Sequence, residues 1–194
     1  MAAANRSRVS PFGTTGPYFP IEWSDDSSDL THVGSATATG QHILLAGSVV
    51  EAGGKPTRNT ILEFWQPDAN GIFRHPLDPR AAEADPGFAG WGRTRTMANG
   101  IYRLRTVIPG GYEENGVMRL PHINVMVVGI GLTRRLVTTL FFGEGPDPVL
   151  DLVPKARRAR LVAKRDASLD DGAAQGYRFD VVMQGEGETP FFAD

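Results

Sequence analysis

The sequence predicts an all-β fold, a β-sandwich of mainly antiparallel strands with long loops and one short helix near the C-terminus. Three observations carry this. The 194 residues include 23 glycines and 14 prolines, gathered in turn dipeptides that punctuate short segments. Residues 59–66 alternate, with Ile61, Glu63 and Trp65 opposite Leu62, Phe64 and Gln66, and residues 101–107 and 122–128 repeat the two-residue period. The length suits one sizeable core and not two. A single domain over 1–194 is therefore expected, with an extended arm and loop over 1–40 and a tail over 185–194.

Composition narrows the chemistry. Without cysteine, disulfides, thiolate nucleophiles and thiolate metal sites are excluded. The formal charge of −2 comes with both signs interspersed, so no nucleic-acid partner is expected. No apolar run approaches a bilayer-spanning length and no charged-then-apolar leader is present, so the expectation is a cytoplasmic protein without a membrane partner.

In chain order, residues 13–20 (GTTGPYFP) are bent and extended by glycine and proline. Residues 24–40 are polar and small and read as a surface loop, with His32 facing solvent. Residues 41–51 are apolar and β-branched, a strand closed by the turn Gly53-Gly54-Lys55-Pro56. Residues 59–66 follow, with Trp and Phe expected in the core. Asp68-Ala69-Asn70-Gly71 is a turn; it holds too few donors for a calcium loop. Prolines 76, 79 and 86 make 73–91 irregular, with one helical turn at 81–84. Asn99-Gly100 reads as a hairpin turn before the strand 101–107.

The stretch 109–128 concentrates the polar chemistry. A Pro-Gly-Gly turn delivers Tyr112, a polar loop with Asn115-Gly116 follows, and 122–128 is a strand. His122, Asn124 and Met126 share one face, and Ile123, Val125 and Val127 the other. Tyrosine and histidine at one strand mouth suit a metal, iron in particular. The Asn124 amide is a poor ligand, and the competing expectation is a His and an Asn satisfied within a sheet. Residues 134–142 form a further strand. Pro154 starts a helix reaching Lys164, its arginines a solvated face. Residues 177–184 are the last strand, and Phe191-Phe192 are expected against a partner or the core.

Pro121-His122-Ile123-Asn124 resembles an altered form of the Pro-x-His-x-His strand of the intradiol ring-cleaving dioxygenases. The resemblance extends through Thr14-Thr15-Gly16-Pro17-Tyr18, residues 41–45 (QHILL), residues 62–66 (LEFWQ), residues 177–180 (YRFD) and residues 184–189 (QGEGET). It covers most of the chain, and the last two motifs are similar to those of the family's non-iron-binding α subunits. The resemblance implies an iron-bearing β subunit as partner, with Fe3+ held there by two tyrosines and two histidines. It also implies cleavage of 3,4-dihydroxybenzoate by O2 to 3-carboxy-cis,cis-muconate, in the β-ketoadipate route of aromatic catabolism.

Carried over residue by residue, the four iron positions are Arg80, Tyr112, His122 and Asn124, of which only Tyr112 and His122 keep a ligand type. The Tyr112–His122 spacing is shorter than in catalytic chains. His75 corresponds to a histidine near the site that is not a ligand. Thr14, Gly16 and Pro17 are expected to line the wall over the bound ring in the partner, where small residues let backbone approach closely. Related α subunits carry an arginine near the substrate carboxylate where this chain has Ile130. Arg134 follows four residues later on the same strand parity. Two other classes are weighed against a silent subunit: a self-sufficient intradiol dioxygenase with an altered iron site, and a free-standing β-sandwich binding module. A guanidinium at a ligand position argues against the first, and the tail motifs argue against the second.

Overall fold

The computed structural model describes residues 25–129, 132 and 134–192. In chain order the strands are β1 (His32–Val33), β2 (Ala36–Thr37), β3 (His42–Val50), β4 (Ile61–Trp65), β5 (Trp91–Arg95), β6 (Ile101–Val107), β7 (Tyr112–Glu114), β8 (Val117–Arg119), β9 (His122–Val128), β10 (Leu136–Phe141), β11 (Lys164–Arg165), β12 (Gln175–Arg178) and β13 (Val181–Val182). One sheet is antiparallel in the order β10-β9-β4-β5. In the other, β3 pairs antiparallel with β6 on one side. On its other side it pairs in parallel with β12 and then β13. The sandwich-like, all-β class is the one the alternation predicted.

The core lies where the inner faces of the two sheets meet. Leu45 and Val49 of β3 and Tyr102 and Leu104 of β6 pack with Leu62 and Phe64 of β4 and with Ile123, Val125 and Val127 of β9. Parity therefore sends His122, Asn124, Trp65 and Glu63 to the outer face of the antiparallel sheet. Trp65 is 36% exposed. The expectation that Trp65 joins the core is corrected: residue type suggested burial, but its own alternation with Phe64 decides its face.

The Tyr177–Asp180 motif is structural. Tyr102 Oη donates to the Phe179 carbonyl at 2.7 Å. The Asp180 carboxylate accepts from Ser48 N at 2.7 Å and from its hydroxyl at 2.8 Å. This joint splits the expected strand 177–184 into β12 and β13. Gly47 lies against it, and a Cβ there would sit 1.8 Å from the Phe179 oxygen, so only glycine lets the backbones meet.

Other details differ from the sequence reading. Asn99-Gly100 closes a tight turn, but the strands it joins belong to different sheets, so it turns a corner of the sandwich rather than a hairpin. Within 24–40, Leu30, Thr31 and Ala38 are buried and β1 pairs with β2; His32 stays exposed. The helix expected from Pro154 to Lys164 shrinks to α2 (Lys155–Arg158) plus a 3-10 turn at Ala159–Leu161. A second short helix, α1 (Pro148–Asp151), precedes it. Phe141 stops the longer helix: its carbonyl takes Ala163 N at 2.8 Å and its backbone bridges Val162, which pulls those residues into extended form. Phe191 packs on the main core and Phe192 on the smaller cluster of Phe141, Leu150, Val153 and Leu161. Both phenylalanines thus belong to this chain's own cores.

Candidate functional site

Tyr112 is placed by two turns leaning on each other. Asp68 closes the turn 68–71, its carboxylate accepting from Asn70 N and Ile72 N at 2.8 and 3.0 Å, and its carbonyl takes Gly110 N at 2.9 Å. A Cβ on Gly71 would sit 2.1 Å from the Gly111 carbonyl oxygen, so these backbones touch only because the residues are glycines. The chain leaves this contact as β7, turns at Asn115-Gly116, whose φ values of 53° and 78° fit a type I′ turn, and returns as β8. The polar loop of the sequence reading is therefore a hairpin, with Tyr112 opposite Arg119.

Tyr112 Oη lies 3.3 Å from His122 Nε2, and His122 Nδ1 lies 2.6 Å from the Leu120 carbonyl oxygen. A carbonyl only accepts, so Nδ1 carries the proton and Nε2 accepts from the phenol. Burial pushes the Tyr112 phenol above its ordinary value, Arg119 opposing, with Glu114 and Asp147 adding to the rise. Burial likewise pushes the His122 imidazole below its ordinary value. Both groups are neutral at pH 7 and occupied with each other.

Arg119 lies behind this pair. Its Nε donates to Asp147 Oδ2 at 3.0 Å, it pairs with Glu114, and its guanidinium sits 5.9 Å from the Tyr112 ring centre. Asp147 also caps α1 through Val149 N at 2.9 Å and takes Leu120 N at 3.1 Å. Burial works to raise its carboxyl, but the Arg119 hydrogen bond and the two amides outweigh it and hold the group below the usual carboxylate range. Sequence reasoning missed both residues. Asp147 carries a legible signal, an Asp followed by Pro148 at the start of a helix; Arg119 becomes visible only once the hairpin register is known.

In front of the pair is an open cleft of about 860 Å3 whose lining includes Trp65, Phe73, His75, Arg80, Tyr112 and Asn124. Trp65 and Phe73 stack at 6.0 Å and 14°, and Phe73 meets Tyr112 edge-on at 4.9 Å. Arg80 extends into the cleft wall, donating from Nη2 to the Gly71 carbonyl at 2.7 Å, with Nε 3.6 Å from Asp78. Asn124 Oδ1 accepts from Thr139 Oγ1 at 3.1 Å. His75 stands edge-on to Trp65 and takes Leu77 N on Nδ1 at 3.2 Å.

Arg80, Tyr112, His122 and Asn124 thus surround one place in the fold, but they do not fit a ferric ion. Two of the four are not strong donors, a fixed cation shares the space, and the lone pair His122 would offer is taken by Tyr112. Among the described residues no group of three or more His, Cys, Asp or Glu is arranged to hold a metal. Thr14, Gly16, Pro17 and Ile130 lie outside the described residues, whereas Arg134 is exposed between β9 and β10.

Residues 14–185 match the family model described as Dioxygenase. The chain belongs to this family. It is 39% identical over 197 residues to the protocatechuate 3,4-dioxygenase alpha chain of Burkholderia cepacia, covering 95% of this chain and 97% of that one. It is 36% identical over 187 residues to the beta chain of the same enzyme from the same organism, covering 89% and 80%. Among solved structures, the dioxygenase domain of a dioxygenase carbohydrate-binding protein fusion from Streptomyces sp. SirexAA-E superposes with a TM-score of 0.57 at 26% identity, covering 93% of this chain and 98% of that one. The chain is thus a homologue of both subunits of an intradiol dioxygenase, a family of iron-dependent oxidoreductases. Overall identity barely separates alpha from beta. Among the described residues no helix is long and apolar enough to cross a membrane.

Proposed function

We propose that this chain is the α-type, non-iron-binding subunit of a protocatechuate 3,4-dioxygenase, pairing with a homologous β-type chain that holds Fe3+. The observation that carries this reading is the Tyr112–His122 hydrogen bond at 3.3 Å, in a pocket where Arg80 and Asn124 stand at the family's other two ligand positions. Two surviving ligands that satisfy each other have no need of a metal. The assembled enzyme, a cytoplasmic one on this reading, cleaves 3,4-dihydroxybenzoate with O2 to 3-carboxy-cis,cis-muconate. The partner's ferric ion supplies the activation of the catechol. This chain contributes fold, interface and position. Thr14, Gly16 and Pro17 form part of the wall over the ring in the partner's site, where a side chain at Gly16 would occupy the ring's space. With Ile130 in place of arginine, recognition of the benzoate charge falls to the partner.

The test is co-expression with the homologous β-type chain, followed by light scattering and metal analysis. The expected result is a stable hetero-oligomer with one iron per pair of chains. In that complex Gly16→Val raises KM or lowers kcat while iron content stays constant. A monomer in the presence of the partner chain would overturn the reading. Stoichiometric iron with a visible tyrosinate band in the partner-free chain would do the same.

A further inference from the structure

We infer that the cleft of this chain is itself a binding site, selective for a small planar aromatic carboxylate and requiring no metal. The inference rests on the reading above, since a ferric ion would compete with Arg80 for the same space. Behind the cleft, among the described residues, the buried carboxylates are already satisfied. Asp68 and Asp85 are consumed by backbone amides. The cleft is different because its walls keep donors in hand.

Arg80 commits one N–H to Gly71 and turns Nε to Asp78, which leaves further donors of its five for a ligand. The Asn124 carbonyl oxygen is held by Thr139, so the amide NH2 is left to the cleft it lines. His75 accepts on Nδ1, so its proton is on Nε2. The carboxylates are largely spent: Asp78 takes Phe73 N and Arg80 N, and Glu114 pairs with Arg119. Only Glu113, in the exposed hairpin, has no such partner among the described residues. A ligand must therefore bring acceptors, and a carboxylate matches the guanidinium fork.

Shape gives the rest of the ligand. Trp65 and Phe73 stack on each other and Tyr112 meets Phe73 edge-on, which gives the cleft an aromatic lining for one ring. The volume of about 860 Å3 lies within the range of small-molecule sites. A guanidinium at one end and aromatic faces along the side describe a monocyclic aromatic acid. The occupant is of the same chemical class as the substrate of the assembled enzyme, bound where this chain does no chemistry on it. The site would thus report the ligand's concentration rather than consume it.

The test is calorimetric titration of benzoate into the complex with the β-type chain, with Trp65 fluorescence followed in parallel. The wild-type isotherm is expected to contain a component that Arg80→Gln weakens about tenfold or more, the scale of a lost charge-assisted hydrogen bond. Arg80→Lys should restore part of it, and Trp65→Phe should remove the fluorescence change while the heat remains. Iron content and circular dichroism check that each variant assembles. An isotherm indifferent to Arg80→Gln, in a complex that keeps its iron, would overturn the proposal. Metal analysis of the partner-free chain reads the subunit assignment separately, so the two failures are distinct.

Discussion

Tyr102 and Tyr112 sit ten residues apart on either side of one loop, and each gives its hydroxyl to a single acceptor. Tyr102 is buried between the sheets and donates to the Phe179 carbonyl. Burial, with Asp180 adding to it, pushes its phenol well above the ordinary value, so it remains a donor at any physiological pH. Tyr112 is half-buried at a cleft and donates to the His122 ring. The first phenol secures a backbone carbonyl between the sheets; the second secures a buried histidine ring from the edge of an open cleft. A residue type shared with a family's active site is thus retained for different physical reasons at two places in one chain. Only the partner of the hydroxyl tells them apart.

The strongest way to break this contrast is to strike behind Tyr112. Arg119→Ala leaves the Asp147 carboxylate buried without its counter-ion, and is expected to cost about 3–5 kcal/mol, measured by urea unfolding. A cost under about 1 kcal/mol would mean that water already reaches Asp147. Tyr102→Phe strands the Phe179 carbonyl and is expected to cost about 1–3 kcal/mol. Acid unfolding sharpens the same point. Because Asp147 is held below its unfolded value, its contribution is complete above about pH 4 and is lost as pH falls through the lowered value. Asp147→Asn should flatten the stability profile below pH 4 relative to the wild type. The smallest effect belongs to Tyr112→Phe, about 1 kcal/mol or less, with a rise in the His122 pKa readable by NMR titration, because the neutral ring loses its donor at Nε2. If Tyr112→Phe proved as costly as Tyr102→Phe, the distinction would collapse.

Much of this was legible before the structure. Alternation assigned β4, β6 and β9 to their faces within a residue or two, because one face of each is apolar and the other is not. The same alternation placed Trp65 outward, and the error lay in letting residue type override it. The Pro154 helix was misread because Ala156, Leu161 and Val162 satisfy a helical period locally, while Phe141 competes for Val162 and Ala163 across the fold. Of the four positions named by resemblance, Arg80, Tyr112 and Asn124 line the cleft, and His122 reaches it only through Tyr112. Arg119 was invisible because its partner lies 28 residues away and no local pattern announces a long-range ion pair.

The parallel pairing of β3 with β12 and β13 has a consequence for the order in which the chain matures. Residues 42–50 leave the ribosome long before residues 175–182, yet among the described residues those late segments are what covers one edge of that strand. Until residues 175–182 are made, an apolar strand waits with unpaired amides and carbonyls, open to other strands. Such distant pairing also slows folding through the entropy of closing the intervening loop. A nascent chain stalled before residue 175 would be expected to aggregate or to engage chaperones. The yield of active complex would then depend as much on how fast this chain is completed as on how tightly it binds its mate.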